Sequence, residues 1–141
     1  MSVTIRDGST DPAEPMQLGP TVLVVEDEDA LRAAIRRLLQ GEGYQVIEAQ
    51  NGATALQLLE DASTSRVDLV LTDLRMPVMD GRQLASVLAR RRPNLPIVFM
   101  SGFTAQLMDL RLVSPDLAFL AKPFRDGDLL ATLRGQIARF T

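Results

Sequence analysis

Five short aliphatic runs recur along this chain, and each is followed by a segment with helical spacing. The runs are Thr21–Val25, Tyr44–Ala49, Val67–Thr72, Ile97–Met100 and Leu117–Ala121. After each, apolar residues return every three or four positions, the period of one helix face. The first helical segment carries Leu31, Ile35, Leu38 and Leu39 and closes at Gly41. The second follows Asn51-Gly52 with Ala55, Leu56 and Leu59, and Leu84, Val87 and Leu88 mark the third. Thr104–Leu112, limited by Pro115, is the fourth; Leu129, Leu130, Leu133 and Ile137 mark the fifth. Strands alternating with helices predict an α/β fold, a parallel sheet covered on both faces. The runs around Val22–Val25, Val67–Leu71 and Ile97–Met100 are the most apolar and suit central strands. Tyr44–Ala49 is more polar and suits an edge. Right-handed crossovers make the sheet doubly wound, so the carboxyl ends of its strands share one ligand-binding rim.

One domain accounts for 141 residues, 46% of them hydrophobic, and no apolar run is long enough to span a bilayer. Residues 1–20 mix Pro, Gly, Ser, Thr and Asp without sustained periodicity and read as a leader or linker; residues 21–141 form the domain. There is no cysteine, hence no disulfide or thiolate metal site, and no secretory signal. A cytoplasmic location is expected. The chain also lacks histidine, so no histidine base, nucleophile or phosphohistidine resides in it. The net charge of −3 argues against direct nucleic-acid binding. Arg90, Arg91 and Arg92 read as a solvated, dipole-complementing helix end; a nucleic-acid patch is the sharper alternative.

The rim is where chemistry gathers. The first run ends in Glu26-Asp27-Glu28, the third on Asp73, the fourth on Ser101 and the fifth at Lys122-Pro123. Each residue alone has a structural reading as a cap, turn residue or solvated charge. Their convergence is harder to dismiss. Two carboxylates about 5 Å apart repel by roughly 3 kcal/mol at an effective dielectric near 20. A cluster of Glu26, Asp27 and Asp73 therefore calls for a counter-ion, and oxygen-only ligands suit a hard cation such as Mg²⁺. A carboxylate can also act as nucleophile and form an aspartyl phosphate. Lys122 can offset charge on a transferring phosphoryl group, and Ser101 can donate to one of its oxygens.

LVVEDE, VLTDLRMPVMDG, MSG and AKPF, in that order, resemble the successive motifs of bacterial response-regulator receiver domains. The similarity covers about Thr21 to Phe140. It implies a flavodoxin-like five-stranded parallel sheet in order 2-1-3-4-5. It also implies Asp73 as phosphoacceptor and Asp27 and Asp73 as Mg²⁺ ligands. Glu26 would share the acidic pocket, acting through water, and the backbone carbonyl of Arg75 would complete the protein ligands. Ser101 matches the switch hydroxyl, Lys122 the phosphate-binding lysine and Phe119 the aromatic switch position; the Lys122–Pro123 bond is often cis in this family. The implied donor is a sensor histidine kinase or a histidine phosphotransfer protein, and the output is a downstream protein partner. Such a chain is a signalling module that assists its own phosphorylation and dephosphorylation, as a stand-alone regulator or as the receiver of a hybrid kinase.

The sequence departs from the family pattern at three positions. Glu26 replaces the commoner aspartate, Phe119 lacks a tyrosine hydroxyl, and Arg75 places a bulky cation beside the reactive carboxylate. Two other functions fit parts of the chain. Asp27-Glu28-Asp29 after an apolar strand matches a bare D-x-D, as in Mg²⁺-dependent phosphohydrolases of the haloacid dehalogenase type, although Ala30-Leu31 replaces the turn expected next. A pseudo-receiver that binds a partner without phosphorylation is the third reading; the complete Asp27, Asp73, Ser101 and Lys122 set opposes it.

Overall fold

The first aliphatic run forms a strand, β1 (Thr21–Val25), and the chain then alternates helix and strand. The order is α1 (Asp29–Gly41), β2 (Gln45–Ala49), α2 (Gly52–Glu60), β3 (Leu69–Asp73), α3 (Gly81–Arg91), β4 (Ile97–Ser101), β5 (Ala118–Ala121) and α4 (Asp126–Arg139). The structure, a computed structural model, describes residues 19–61, 66–102 and 118–139. The helix expected at Thr104–Leu112 and the first residue of the run Leu117–Ala121 lie outside these. All four strand pairings are parallel, in spatial order β2-β1-β3-β4-β5. The more polar run, β2, is at an edge as expected.

Alternation along the strands assigns the two faces. Val22 and Val24 of β1, Leu69 and Leu71 of β3, and Val98 and Met100 of β4 pack with Ile35 and Leu39 of α1 and Leu129 and Leu133 of α4. Leu23, Val25 and Val70 face the other way, onto Ala55 and Leu59 of α2 and Leu84 and Leu88 of α3. Each fully buried leucine contributes roughly 1.5–3 kcal/mol; the central strands are apolar up to their carboxyl ends because both faces are covered. Among the described residues no helix is long and apolar enough to cross a membrane.

Strand ends differ from the sequence reading by one or two residues, and those residues matter. β3 starts at Leu69 rather than Val67 and runs through Asp73; Ser101 likewise belongs to β4. Asp68 falls just before β3, where its carboxylate accepts the Thr21 N–H at 2.8 Å. The arginines at the end of α3 tie it to α2. Arg91 pairs with Glu60 at 3.1 Å, and Arg92 Nη2 donates to the Leu59 carbonyl at 2.8 Å.

Candidate functional site

Parallel strands place β1, β3, β4 and β5 so that their carboxyl ends meet at one rim. Register fixes the neighbours: Val25 lies beside Thr72, Asp73 beside Met100, and Ser101 beside Ala121. The side chains that follow β1, end β3 and follow β5 thus converge. Lys122 Nζ donates to Glu26 Oε1 at 2.8 Å and to Asp73 Oδ2 at 2.9 Å. Asp27 completes the group: carboxylate oxygens of Glu26, Asp27 and Asp73 all lie within 4.8 Å of one another.

Burial sets the electrostatics. Glu26 is 1% exposed and Asp73 8%, whereas Asp27 faces solvent. Burial pushes the Glu26 carboxyl up to about 7, against the lowering from its Lys122 hydrogen bond and the Glu28 amide, with Asp73 repulsion adding to the rise. Burial pulls the Lys122 ammonium down, but its hydrogen bonds to Glu26 and Asp73 outweigh that and leave it raised. Lys122 therefore pairs with two of the three clustered carboxylates, Glu26 and Asp73. The remaining negative charge, carried by oxygen atoms alone, fits a hard divalent cation such as Mg²⁺.

The backbone around the pocket is held closely. The Glu26 N–H donates to the Ala49 carbonyl at 3.0 Å, and Glu26 Oε2 accepts the Glu28 N–H at 3.1 Å. Thr72, fully buried, donates its hydroxyl to the Asp73 carbonyl at 3.0 Å. Gly81 opens α3 against that same carbonyl: a Cβ there would lie 2.2 Å from the Asp73 oxygen, so any side chain would push β3 and α3 apart. Asp80 caps α3 reciprocally with Gln83, at 2.9 and 3.0 Å. Between β3 and Asp80 the loop turns at Val78, where φ is +72° and Met79 N–H donates to the Pro77 carbonyl at 2.8 Å. A β-branched residue held in that region costs about 1–3 kcal/mol. The Met79 carbonyl accepts the Gly52 N–H at 3.0 Å, which docks this strained loop on the start of α2.

Glu26, Asp27, Asp73 and Lys122 share one pocket. Ser101 is buried at the neighbouring strand end, and its carbonyl accepts the Lys122 N–H at 2.8 Å. Phe119 is not in the pocket. It lies on β5 beside Phe99 and packs, half-buried, against Leu74 and Phe99 beneath the rim. Arg75 lies on the exposed loop after β3, lining a cleft of about 210 Å³ with Leu74, Met76, Asp80 and Arg82. The Lys122–Pro123 peptide is cis. Sequence reasoning missed the contacts of Thr72 and Gly81 with Asp73 and the role of Arg32, whose Nη1 donates to the Glu26 carbonyl at 2.7 Å. Only Arg32 left a signal, its i,i+3 spacing from Asp29.

The family model of the response regulator receiver domain matches residues 22–134. The sensor kinase CckA of Brucella abortus is 34% identical over 138 residues, which span 97% of this chain but 14% of that protein. The response regulator receiver protein CpdR of the same organism is 36% identical over 110 residues, 77% of this chain and 89% of CpdR. Among solved structures, the receiver domain of the hybrid histidine kinase CckA superposes with a TM-score of 0.66 at 33% identity, covering 83% of this chain and 98% of that one.

Proposed function

The chain belongs to the response regulator receiver domain family, and from that membership we propose that it accepts a phosphoryl group on Asp73 from the phosphohistidine of a partner protein. The observation that carries this reading is a buried carboxylate, Asp73, held 2.9 Å from a lysine inside a cluster of two further carboxylates. In the transfer, an Asp73 carboxylate oxygen attacks phosphorus and the donor's P–N bond breaks, leaving its imidazole. Lys122 then exchanges its Asp73 contact for a phosphoryl oxygen, a move that needs no long rearrangement from its present position. Glu26, Asp27, Asp73 and the Arg75 carbonyl would hold Mg²⁺, which supplies charge stabilisation to the phosphoryl oxygens when bound. None of these 141 residues is histidine, so the donor phosphohistidine lies outside them, on a sensor histidine kinase or a histidine phosphotransfer protein.

Residues 21–141 would form the receiver, with residues 1–20 a leader, and the module would work in the cytoplasm through a downstream protein. It is a signalling domain that assists its own phosphorylation and dephosphorylation rather than an enzyme with an external product. A phosphoryl group adds about −1.5 to −2 charges and strong acceptors. The Ser101 hydroxyl is drawn toward it, and Phe119, packed against Leu74 next to Asp73, repacks in response.

Incubation with a small-molecule phosphodonor such as phosphoramidate and Mg²⁺ should add one acid-labile phosphoryl group, and Asp73→Asn should abolish it. Undiminished labelling of that variant sinks the assignment. Ser101→Ala should still be labelled but show a smaller amide-shift response at Phe119 with beryllofluoride; a full wild-type response there rejects the switch role.

A further inference from the structure

Arg32 joins three separate stretches of chain through one guanidinium. Its side chain is 17% exposed. Nη1 donates to the Glu26 carbonyl at 2.7 Å, Nε to Glu48 Oε1 at 3.2 Å and Nη2 to Asp29 Oδ1 at 2.8 Å. These acceptors belong to the exit of β1, to β2 and to the first turn of α1. Arg36, one turn further along α1, donates to the other Glu48 oxygen at 2.9 Å and holds that carboxylate in place. Three acceptors in different directions suit the fixed, planar donor fork of arginine.

The Glu26 carbonyl is half of the peptide group that joins Glu26 to Asp27. That group is planar, and its six atoms include the Cα atoms of both residues. A bond that orients the carbonyl therefore orients the base from which two pocket carboxylates project. The far end of Glu26 is fixed as well, by Lys122 Nζ and the Glu28 amide. Asp27 projects toward solvent beside it and depends on this plane for its direction.

We propose that Arg32 is a positioning residue for cation binding, fixing the Glu26–Asp27 peptide plane so that both carboxylates are placed before the cation arrives. The proposal rests on the reading of the acidic pocket as a Mg²⁺ site. Its sign is opposite to that of simple electrostatics. A guanidinium near the pocket repels a cation, so removing it by charge alone tightens binding. Loss of positioning weakens it. Glu48 and Asp29 already neutralise the guanidinium, which leaves the geometric effect dominant.

The test is calorimetric Mg²⁺ titration of the full chain, wild type against Arg32→Ala, Arg32→Lys and Arg36→Ala. In parallel, amide exchange of Glu28 is followed by NMR without metal. Arg32→Ala should weaken Mg²⁺ binding by about five- to tenfold, and Arg32→Lys, which keeps the charge but loses the fork, by at least about threefold. Arg36→Ala also breaks a Glu48 ion pair, yet should bind Mg²⁺ within about twofold of wild type, separating positioning from general loss of stability. Glu28 exchange should accelerate in the Arg32 variants and not in Arg36→Ala. Equal or tighter Mg²⁺ binding by Arg32→Ala, full rescue by lysine, or an equal loss in Arg36→Ala overturns the proposal. Arg32→Lys keeps the buried stem and stays readable if the alanine variant fails to fold. A wild-type chain that takes up no Mg²⁺ overturns the cation reading of the pocket itself, while the metal-free exchange still reports whether Arg32 holds the loop.

Discussion

Two charged clusters lie on adjacent strands, and they are built on opposite balances. Around Glu26, Lys122 pairs with the carboxylates of Glu26 and Asp73, and the Asp27 carboxylate lies beside them. Around Glu48, Arg32 and Arg36 meet the carboxylates of Glu48 and Asp29. Glu48 pairs in register with Val24, two residues before Glu26. The same side chain in neighbouring places is nonetheless pushed in opposite directions. Burial raises the Glu26 carboxyl to about 7, whereas hydrogen bonding to Arg36, and then to Arg32, lowers that of Glu48. Depth of burial first, and then the cations within reach, decide the outcome, not the glutamate. A balanced cluster fastens α1 to β2; the other keeps an excess of carboxylate charge that fits a hard cation.

The contrast predicts its largest effect at Lys122, which pairs with both buried carboxylates. Lys122→Ala leaves Glu26 and Asp73 buried without their shared partner, a loss of about 3–5 kcal/mol for broken buried pairs. Urea unfolding without metal should show that loss at pH 8 and a smaller one at pH 6, where Glu26 takes up a proton. Equal losses at the two pH values would mean that charge imbalance is not what strains the pocket.

The wild-type pH profile comes next. Glu26 titrates near 7 when folded and near 4.5 when unfolded, so between those values the folded state binds more protons. Stability should therefore fall as pH rises through that window, by at most about 3.5 kcal/mol at about 1.4 kcal/mol per unit. The lowered carboxyl of Glu48 acts oppositely: its contribution is present above 4.5 and is lost as pH falls below it. Metal-free melting of Glu26→Gln should flatten the slope from pH 5 to 7. An unchanged slope would place its source elsewhere.

How far these clusters could be read from the sequence follows from what each depends on. β1, β3 and β4 were legible because both faces are buried, and the edge position of β2 because it is more polar. The pocket was legible because parallel strands bring their ends together, so Asp73 and Lys122, 49 positions apart, meet without a local signal between them. The balanced cluster was not. Arg32 to Glu48 is a contact between a helix face and an edge strand, and its partner is set by the roll of α1 on the sheet. Gly81 was equally silent. Its need to lack a side chain comes from an approach to the Asp73 carbonyl that only the folded backbone shows.

The smallest effects test the contrast most directly, because the same chemical change should have opposite signs in the two clusters. Glu48→Gln removes a charge that two arginines share, and at 30% side-chain exposure its loss should cost about 1 kcal/mol. Asp73→Asn removes a charge from the cluster with too many. Lys122 keeps Glu26, the repulsion of Glu26 by Asp73 disappears, and the amide can still accept a hydrogen bond. Metal-free Asp73→Asn should therefore be more stable than wild type, by about 1 kcal/mol, the size of one screened carboxylate contact. Mg²⁺ should then reverse the order. A ligand that binds the folded state at ten times its dissociation constant adds about 1.4 kcal/mol, and wild type has the fuller ligand set. Paired melting curves with and without Mg²⁺ decide the matter. If Asp73→Asn is destabilising in metal-free buffer, the pocket is held together by its ion pairs as the Glu48 cluster is, and its carboxylates are not strained in the absence of a cation.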